Sequence, residues 1–213
     1  GATSVLDRAV AAALDRSLPS LSGAYGVVYM KQSRPELAVQ VLLPAALRPD
    51  APAYLFKYLG DAYAALGQHP QAISYYQQAA FGNPQLVLAR EALGRALRLS
   101  GQPAAAAQHL AYAASVNPAL TQAVLGHGAA LVSSGAASAA VAALQPVVER
   151  LSPYGNDSAY LLLAIAVWKA GDPYGALAAI QEVLRVNPGN KVAELYRARI
   201  AQELGIQYTS VPQ

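Results

Sequence analysis

The amino-acid sequence predicts an all-α fold in which one helical hairpin is repeated along the chain. The first observation is a self-similarity with a period of 34 residues. The second is a small residue in the middle of each first helix, and the third is a turn residue, usually glycine, seven positions later. Such a period is typical of hairpins that stack side by side and share a linear core between neighbours.

The small residue occupies equivalent positions in five successive segments, the last displaced by two residues. These positions are Gly26, Gly60, Gly94, Gly128 and Ala164. An alanine follows each of them twelve positions later, namely Ala38, Ala72, Ala106, Ala140 and Ala176. A glycine inside a helix costs about 1 kcal/mol relative to alanine, so its recurrence predicts close packing. We expect the two small positions to let the two helix backbones of a hairpin approach closely.

The turns and the helix boundaries follow the same period. The turn residues are Ser33, Gly67, Gly101, Gly135 and Gly171, and they suit the left-handed conformation that follows a helix C-terminus. Prolines begin the second helix at Pro35, Pro103 and Pro173, where the missing N–H has no partner to lose. Further prolines end it at Pro84, Pro118 and Pro188.

The hairpins resemble tetratricopeptide repeats (TPR). The best unit has the spacing of that family at Phe56, Leu59, Gly60, Tyr63, Ala72, Tyr76, Ala79 and Pro84. The departures are local, such as His127 in a slot for a large apolar residue. The resemblance implies a right-handed α-solenoid of helix-turn-helix repeats. Five repeats are predicted at 19–52, 53–86, 87–120, 121–154 and, after the insertion Gly155-Asn156, 157–190.

The segments outside the repeats are expected to cap the shared core. Residues 1–18 include an amphipathic stretch that predicts an N-terminal capping helix; the alternative is the second helix of a further repeat. Residues 191–205 continue the first-helix pattern with a polar outer face, as a C-terminal capping helix requires, and 206–213 form a tail. Because the chain begins with Gly1, further repeats or a membrane anchor upstream remain open.

Composition narrows the possible functions. The chain of 213 residues is 54% hydrophobic and 13% charged, and its net charge of +3 is too small to indicate a nucleic-acid-binding protein. It has no cysteine for a disulfide or a thiolate metal site. No apolar run reaches the roughly 18 residues of a transmembrane helix. Low charge with many Ser, Gln, Asn and Tyr residues slightly favours an extracytoplasmic, periplasmic location over a cytoplasmic one.

The sequence offers little that could support catalysis. The three histidines, His69, His109 and His127, occupy different positions of the repeat, so nothing in the pattern brings them together. Their spacing matches no metal-binding motif. We therefore expect a non-catalytic protein with no cofactor and no metal.

By the family resemblance, function is expected on the concave groove lined by the first helices, at repeat positions 2, 5, 9, 12 and 13. The first two repeats supply Ser20, Gly23, Val27, Met30 and Lys31, then Tyr54, Lys57, Asp61, Ala64 and Ala65. The resemblance implies a scaffold whose groove binds a peptide or helix of another protein, within a larger assembly. The alternative is a module that self-associates into an oligomer, through this groove or through Leu99 to Val148, which contains no charged residue. Basic and stacking residues do not recur as RNA recognition would require.

One candidate binding site is apolar and lies in the fifth repeat. Leu161, Ile165 and Trp168 form a second apolar stripe on their helix, in addition to the stripe that faces its hairpin partner. Leu125 and Val132 of the fourth repeat and Leu195 of the C-terminal helix are expected to extend it into a patch centred on Trp168. The alternative is that the protein covers this patch itself, with residues 206–213 or by tighter curvature.

A second candidate site is polar and involves Tyr54, Lys57, Arg95 and Arg98. Glu91, Arg95 and Arg98 share one helix face, and Asp61 is level with Arg95 on the neighbouring helix. This pattern predicts an internal Asp61–Arg95–Glu91 network, and the alternative is an acidic group of a partner bound by Arg98. A clamp for the acidic tails of chaperones, known in the family, is not expected, because Asp61 stands where that clamp has an asparagine.

Overall fold

A computed structural model describes residues 19–152 and 154–206, and within these ranges it consists of helices without strands. The helices are α1 (Pro19–Lys31), α2 (Pro35–Ala46), α3 (Ala53–Ala65), α4 (His69–Gly82), α5 (Val87–Leu99), α6 (Pro103–Val116), α7 (Thr121–Ser133), α8 (Ala137–Val148), α9 (Asp157–Lys169), α10 (Pro173–Val186) and α11 (Lys191–Glu203). The predicted fold class, an all-α solenoid of TPR hairpins, is confirmed. The predicted N-terminal capping helix and tail residues 207–213 lie outside the described residues.

Each hairpin turn contains the backbone conformation that its sequence predicts. The turn residue has a positive φ in all five turns: Ser33 (56°), Gly67 (72°), Gly101 (79°), Gly135 (85°) and Gly171 (98°). Glycine adopts this conformation without the Cβ clash that other residues meet. Pro35, Pro103 and Pro173 begin α2, α6 and α10, where a proline costs no helical hydrogen bond.

The chain divides into two compact units between Gln102 and Pro103. In the first unit the hairpins α1–α2 and α3–α4 pack together, and among the first helices α3 contacts both α1 and α5. Its core is built on Leu42, Leu55 and Leu59, which are fully buried, with tyrosines packed around them. The first helices therefore form one layer, and their outward sides form a continuous surface, here called the first-helix face.

The recurring glycine makes room for a large side chain of the second helix. A Cβ at Gly60 would lie 2.5 Å from the ring of Tyr76, and a Cβ at Gly26 would lie 2.7 Å from Leu42. Gly128 has the same relation to Leu144. These partners come sixteen positions after the glycine, not twelve. The glycine was expected to pair with the alanine twelve positions later, and this expectation is corrected. The glycine is needed because a large side chain of the second helix packs directly onto the first helix at that point.

In the second unit the helices from α6 to α11 follow one another in packing order. Buried residues Ala164, Ile180 and Ile200 belong to a core shared by α9, α10 and α11. The last helix, α11, packs against α10 and also against α9. It therefore lies beside the first helix of the fifth repeat, as a further first helix would. None of the described helices is both long enough and apolar enough to cross a membrane.

Candidate protein-binding face

A groove of about 500 Å³ lies on the first-helix face of the first unit, between α1 and α3. One wall is made by Ser20, Gly23, Ala24 and Val27 of α1, and the other by Tyr54 and Tyr58 of α3. Tyr54 and Tyr58 are about one helical turn apart, so both rings lie on the same side of α3. The groove is lined mainly by apolar atoms, and its walls are residues from two helices that the core holds in place.

The width of the groove is set by a glycine. A Cβ at Gly23 would lie 2.9 Å from Cε2 of Tyr54, so glycine lets this ring pack directly against α1. The rings of Tyr54 and Tyr58 contact each other with a centroid separation of 5.8 Å and an interplanar angle of 60°. Partial burial raises the pKa of Tyr54. The Tyr54 hydroxyl is therefore neutral near pH 7 and can act as a hydrogen-bond donor or acceptor.

Next to the groove, Asp61 is held by two donors from its own hairpin. Lys57 Nζ lies 2.6 Å from Asp61 Oδ2, and the Tyr76 hydroxyl donates to Asp61 Oδ1 at 2.9 Å. Burial, reinforced by the carboxylate of Asp61, raises the pKa of Tyr76 far above its usual range, so its hydroxyl stays protonated and donates. Asp61 and Lys57 thereby neutralise each other on the first-helix face.

The adjacent helix α5 carries a separate ion pair. Arg95 Nη1 lies 3.3 Å from Glu91 Oε1, with the side chain of Arg95 about half exposed. The expected Asp61–Arg95–Glu91 network is therefore corrected to two pairs, Lys57–Asp61 and Glu91–Arg95, because Lys57 and Tyr76 already occupy both oxygens of Asp61. Arg98 lies one turn after Arg95, and its buried Nε has no hydrogen-bond partner among the residues that the structure describes.

In the second unit the last helix, α11, packs on the aromatic residue of α9. Trp168 of α9 donates from Nε1 to Glu203 Oε2 of α11 at 2.8 Å. Its ring meets Tyr196 edge to face at 6.0 Å, and the guanidinium of Arg199 lies 5.3 Å from its centroid. Three side chains of α11 thus pack on a single tryptophan, each through a different type of contact.

The other members of the predicted apolar patch are distributed between core and surface. Leu161 is only 7% exposed and Ile165 packs on the same core, together with residues of α11. Leu125 and Val132 are half-buried against a neighbouring cluster around Leu144. Leu195 is 67% exposed. The expectation of an open stripe through Leu161 is corrected, because Leu161 is buried in the core that α9, α10 and α11 share. A binding role for Trp168 stays a prediction, and tail residues 207–213 lie outside the described residues.

The histidines do not form a common site. His69 is in α4, His109 in α6 and His127 in α7, where burial lowers the pKa of His127. Over residues 19–152 and 154–206 no three His, Cys, Asp or Glu side chains form a group suited to a metal ion.

The period, the paired helices and the positive-φ turns agree with a comparison against known families. The sequence profile described as tetratricopeptide repeat matches residues 58–123 and 125–191, which is more than half of the chain. The chain belongs to the tetratricopeptide-repeat family. A TPR protein has the architecture of a protein-interaction scaffold. A comparison with curated proteins finds no significant match in sequence.

Solved structures of other TPR proteins have the same fold. YrrB, described as a TPR protein with an unusual peptide-binding site, is 18% identical, with a TM-score of 0.79 over 89% of this chain and 98% of its own. MamA from Desulfovibrio magneticus RS-1 is 18% identical, with a TM-score of 0.72 over 81% and 97%. A TPR protein from Cytophaga hutchinsonii is 17% identical, with a TM-score of 0.69 over 86% and 72%. At these identities the likeness concerns the fold.

Two residues of the groove were not among the sequence candidates. Ala24 and Tyr58 occupy the sixth position of their repeats, which the family positions omit. The signal that identifies them is helical periodicity, because Ser20, Ala24, Val27 and Lys31 follow the spacing i, i+4, i+7, i+11 on one side of α1.

Proposed function

We propose that this TPR protein is a non-catalytic scaffold that binds a peptide or helix of a partner protein on the first-helix face of its first unit. The observation that carries the proposal is the groove between α1 and α3, with Tyr54 and Tyr58 on one wall. Tyrosine contributes a large apolar contact and a hydrogen-bonding group at one position, which suits it to protein interfaces.

The second unit supports this placement by contrast. There the equivalent helix α9 carries Trp168. The ring of Trp168 contacts Tyr196 of α11, and its Nε1–H donates to Glu203 of the same helix. A partner that bound at Trp168 would have to replace these contacts. A partner at a site centred on Trp168 with Ile165, Leu125 and Val132 would therefore compete with α11 for the tryptophan, whereas the described residues leave the groove in the first unit open.

Site-specific photo-crosslinking in the cell of origin tests the proposal. A photoreactive phenylalanine is placed at Ala24 in the groove, at exposed Gln77 on α4, or at exposed Leu195 on α11. We expect a discrete crosslinked protein from Ala24 that disappears when Tyr58 is also changed to Ala. Equal crosslinking from Gln77, or crosslinking from Leu195 alone, would contradict the proposed site.

Self-association is the second candidate function. It is favoured by the region from Leu99 to Val148, which has no charged side chain, and by a groove of about 360 Å³ between α8 and α9 with Val141 and Val167 among its lining residues. Charge-depleted surfaces are common at protein interfaces. Molar mass measured over a range of concentrations decides this candidate: a constant 22.1 kDa excludes it, and a dimer that Val141→Glu dissociates supports it.

The extracytoplasmic location stays a prediction from composition. Cell fractionation with a tag at the C-terminus tests it, and recovery with cytoplasmic markers would contradict it.

A further inference from the structure

The net charge of the protein is concentrated in the first unit. Residues 19–102 contain seven basic side chains (Lys31, Arg34, Arg48, Lys57, Arg90, Arg95, Arg98) and four acidic ones (Glu36, Asp50, Asp61, Glu91), a net charge of +3. Residues 103–206 contain six basic and six acidic side chains and are neutral overall. The whole excess of positive charge therefore belongs to the unit with the accessible groove.

Two cations on the first helices of this unit have no carboxylate partner within the described part of the chain. Lys57 and Arg95 are paired with Asp61 and Glu91. In contrast, Lys31 and Arg98 form no ion pair with any residue in 19–152 or 154–206. Lys31 is in the last turn of α1, on the stripe that lines the groove, and Arg98 is in the last turn of α5.

The groove lies towards the N-terminal ends of α1 and α3, and Lys31 follows Ala24 of its wall by seven residues, about 10 Å along α1. Neighbouring helices are about 8–10 Å apart, so Lys31 on α1 and Arg98 on α5 are separated by about 16–20 Å. An extended chain rises about 3.3 Å per residue, and five or six residues cover roughly this distance. About three further residues reach from Lys31 back to the groove, so a segment of about nine residues can place an apolar side chain beside Tyr54 and Tyr58 and carboxylates near both cations.

We propose that the first-helix face of residues 19–102 binds an acidic, extended peptide segment that inserts an apolar side chain into the groove between α1 and α3. This rests on the proposed function and specifies the chemistry of the partner. The carboxylates of the segment compensate Lys31 and Arg98, and charge-assisted hydrogen bonds of this type are stronger than neutral ones. The segment need not contain a chain terminus, because the compensating cations lie on two separate helices.

A nucleic acid fits this face less well. The carboxylates of Asp61 and Glu91 lie on the same helices as the cations and would repel a phosphate backbone. A peptide can place its acidic residues selectively, whereas every nucleotide has a phosphate. The charge pattern therefore favours a peptide with spaced carboxylates.

Calorimetry with three synthetic peptides of about ten residues tests the inference, a length that covers the estimated span with margin. One peptide has mostly Glu with two Leu residues, the second has Gln in place of Glu, and the third has Lys in place of Glu. All are acetylated and amidated, so their termini are uncharged. We expect the Glu peptide to bind about tenfold or more tightly than the Gln peptide, the Lys peptide not to bind, and the affinity to fall with salt.

Matched variants locate the interaction. Arg98→Gln and Lys31→Gln should each weaken the Glu peptide, together by about tenfold or more. Arg48→Gln removes the same charge from the same unit, but Arg48 lies after α2 and pairs with Asp50. It should leave the affinity unchanged within about twofold. Ala24→Phe, at an exposed position, should fill the groove and weaken the Glu peptide without lowering Tm.

The outcomes separate this inference from the proposed function. Equal binding of the Glu and Gln peptides, lost in Ala24→Phe, overturns the acidic class and leaves the proposed function intact. A loss in Arg48→Gln equal to that in Arg98→Gln, or displacement of the Glu peptide by an equimolar oligothymidylate, also overturns the inference. So does failure of all three peptides to bind at about millimolar concentration, in which case crosslinking from Ala24 still decides the proposed function.

Discussion

The first-helix faces of the two units differ in what covers their aromatic residues. In the first unit Tyr54 and Tyr58 border a groove, and the glycine opposite them lets one ring pack on α1. In the second unit Trp168 contacts Tyr196, Arg199 and Glu203 of α11. The same repeat architecture therefore provides an accessible aromatic surface in one unit and an internally satisfied one in the other.

This difference teaches that an apolar stripe on a repeat helix is not by itself a binding site. A helix that is apolar on all sides is normally buried on all sides, and α9 is buried by α10 on one side and by α11 on another. The face of α3 is mixed, with tyrosines followed by the Lys57–Asp61 pair. Mixed faces of this type are typical of interfaces that form and dissociate.

The largest expected effect comes from loosening the helix that covers Trp168. Ile200 of α11 is fully buried, so Ile200→Ala should lower the free energy of unfolding by about 2–5 kcal/mol. Val192→Ala, at a half-exposed position of the same helix, should change it by less than about 0.5 kcal/mol. Both are measured by chemical denaturation. Equal effects of the two variants would show that α11 does not pack on the core as described.

A smaller effect is expected from the glycine that accommodates Tyr76. Gly60→Ala places a methyl group against the buried ring and should cost about 1–3 kcal/mol relative to Gly82→Ala. At Gly82 a Cβ would lie 3.5 Å from the Ala53 side chain, an ordinary contact, and alanine there also improves helix propensity. If Gly60→Ala is as stable as Gly82→Ala, then the sixteen-residue pairing of the first unit is wrong.

The smallest effect concerns the hydrogen bond between α9 and α11 in the second unit. Glu203→Ala removes the acceptor of Trp168 Nε1 and should destabilise the protein by about 1 kcal/mol. It should also shift the tryptophan emission to longer wavelength, because water replaces the carboxylate. Gln202→Ala, at an exposed neighbouring position, is the control. An unchanged emission in Glu203→Ala would contradict this contact.

The repeat period predicts the helices and the turns because the core dictates both. Small and large slots recur at fixed positions since each hairpin must fit the next, and a turn such as that at Gly67 needs a positive φ. The partner of each glycine was harder to predict, because sequence spacing alone does not show which side chain of α4 points at Gly60.

The candidate site could be predicted only in part. Positions such as Tyr54 and Lys57 follow from the family, but the sequence does not show that Asp61 accepts from Lys57 and Tyr76 while Arg95 pairs with Glu91. For Trp168, the sequence shows an apolar stripe but not what covers it. Whether α11 packs on Trp168 depends on the position that this helix takes after Asn190, and no local sequence pattern specifies that position.

The emission of Trp168, the only tryptophan, during a calorimetrically monitored titration with the Glu peptide tests the central claim most directly. The claim is that a partner binds the first-helix face of residues 19–102 while α11 keeps Trp168 covered. The account predicts saturable heat of binding with an unchanged emission maximum, and loss of that heat in Ala24→Phe. An emission shift that follows the binding isotherm, together with undiminished binding in Ala24→Phe, would place the partner at Trp168 and contradict the account.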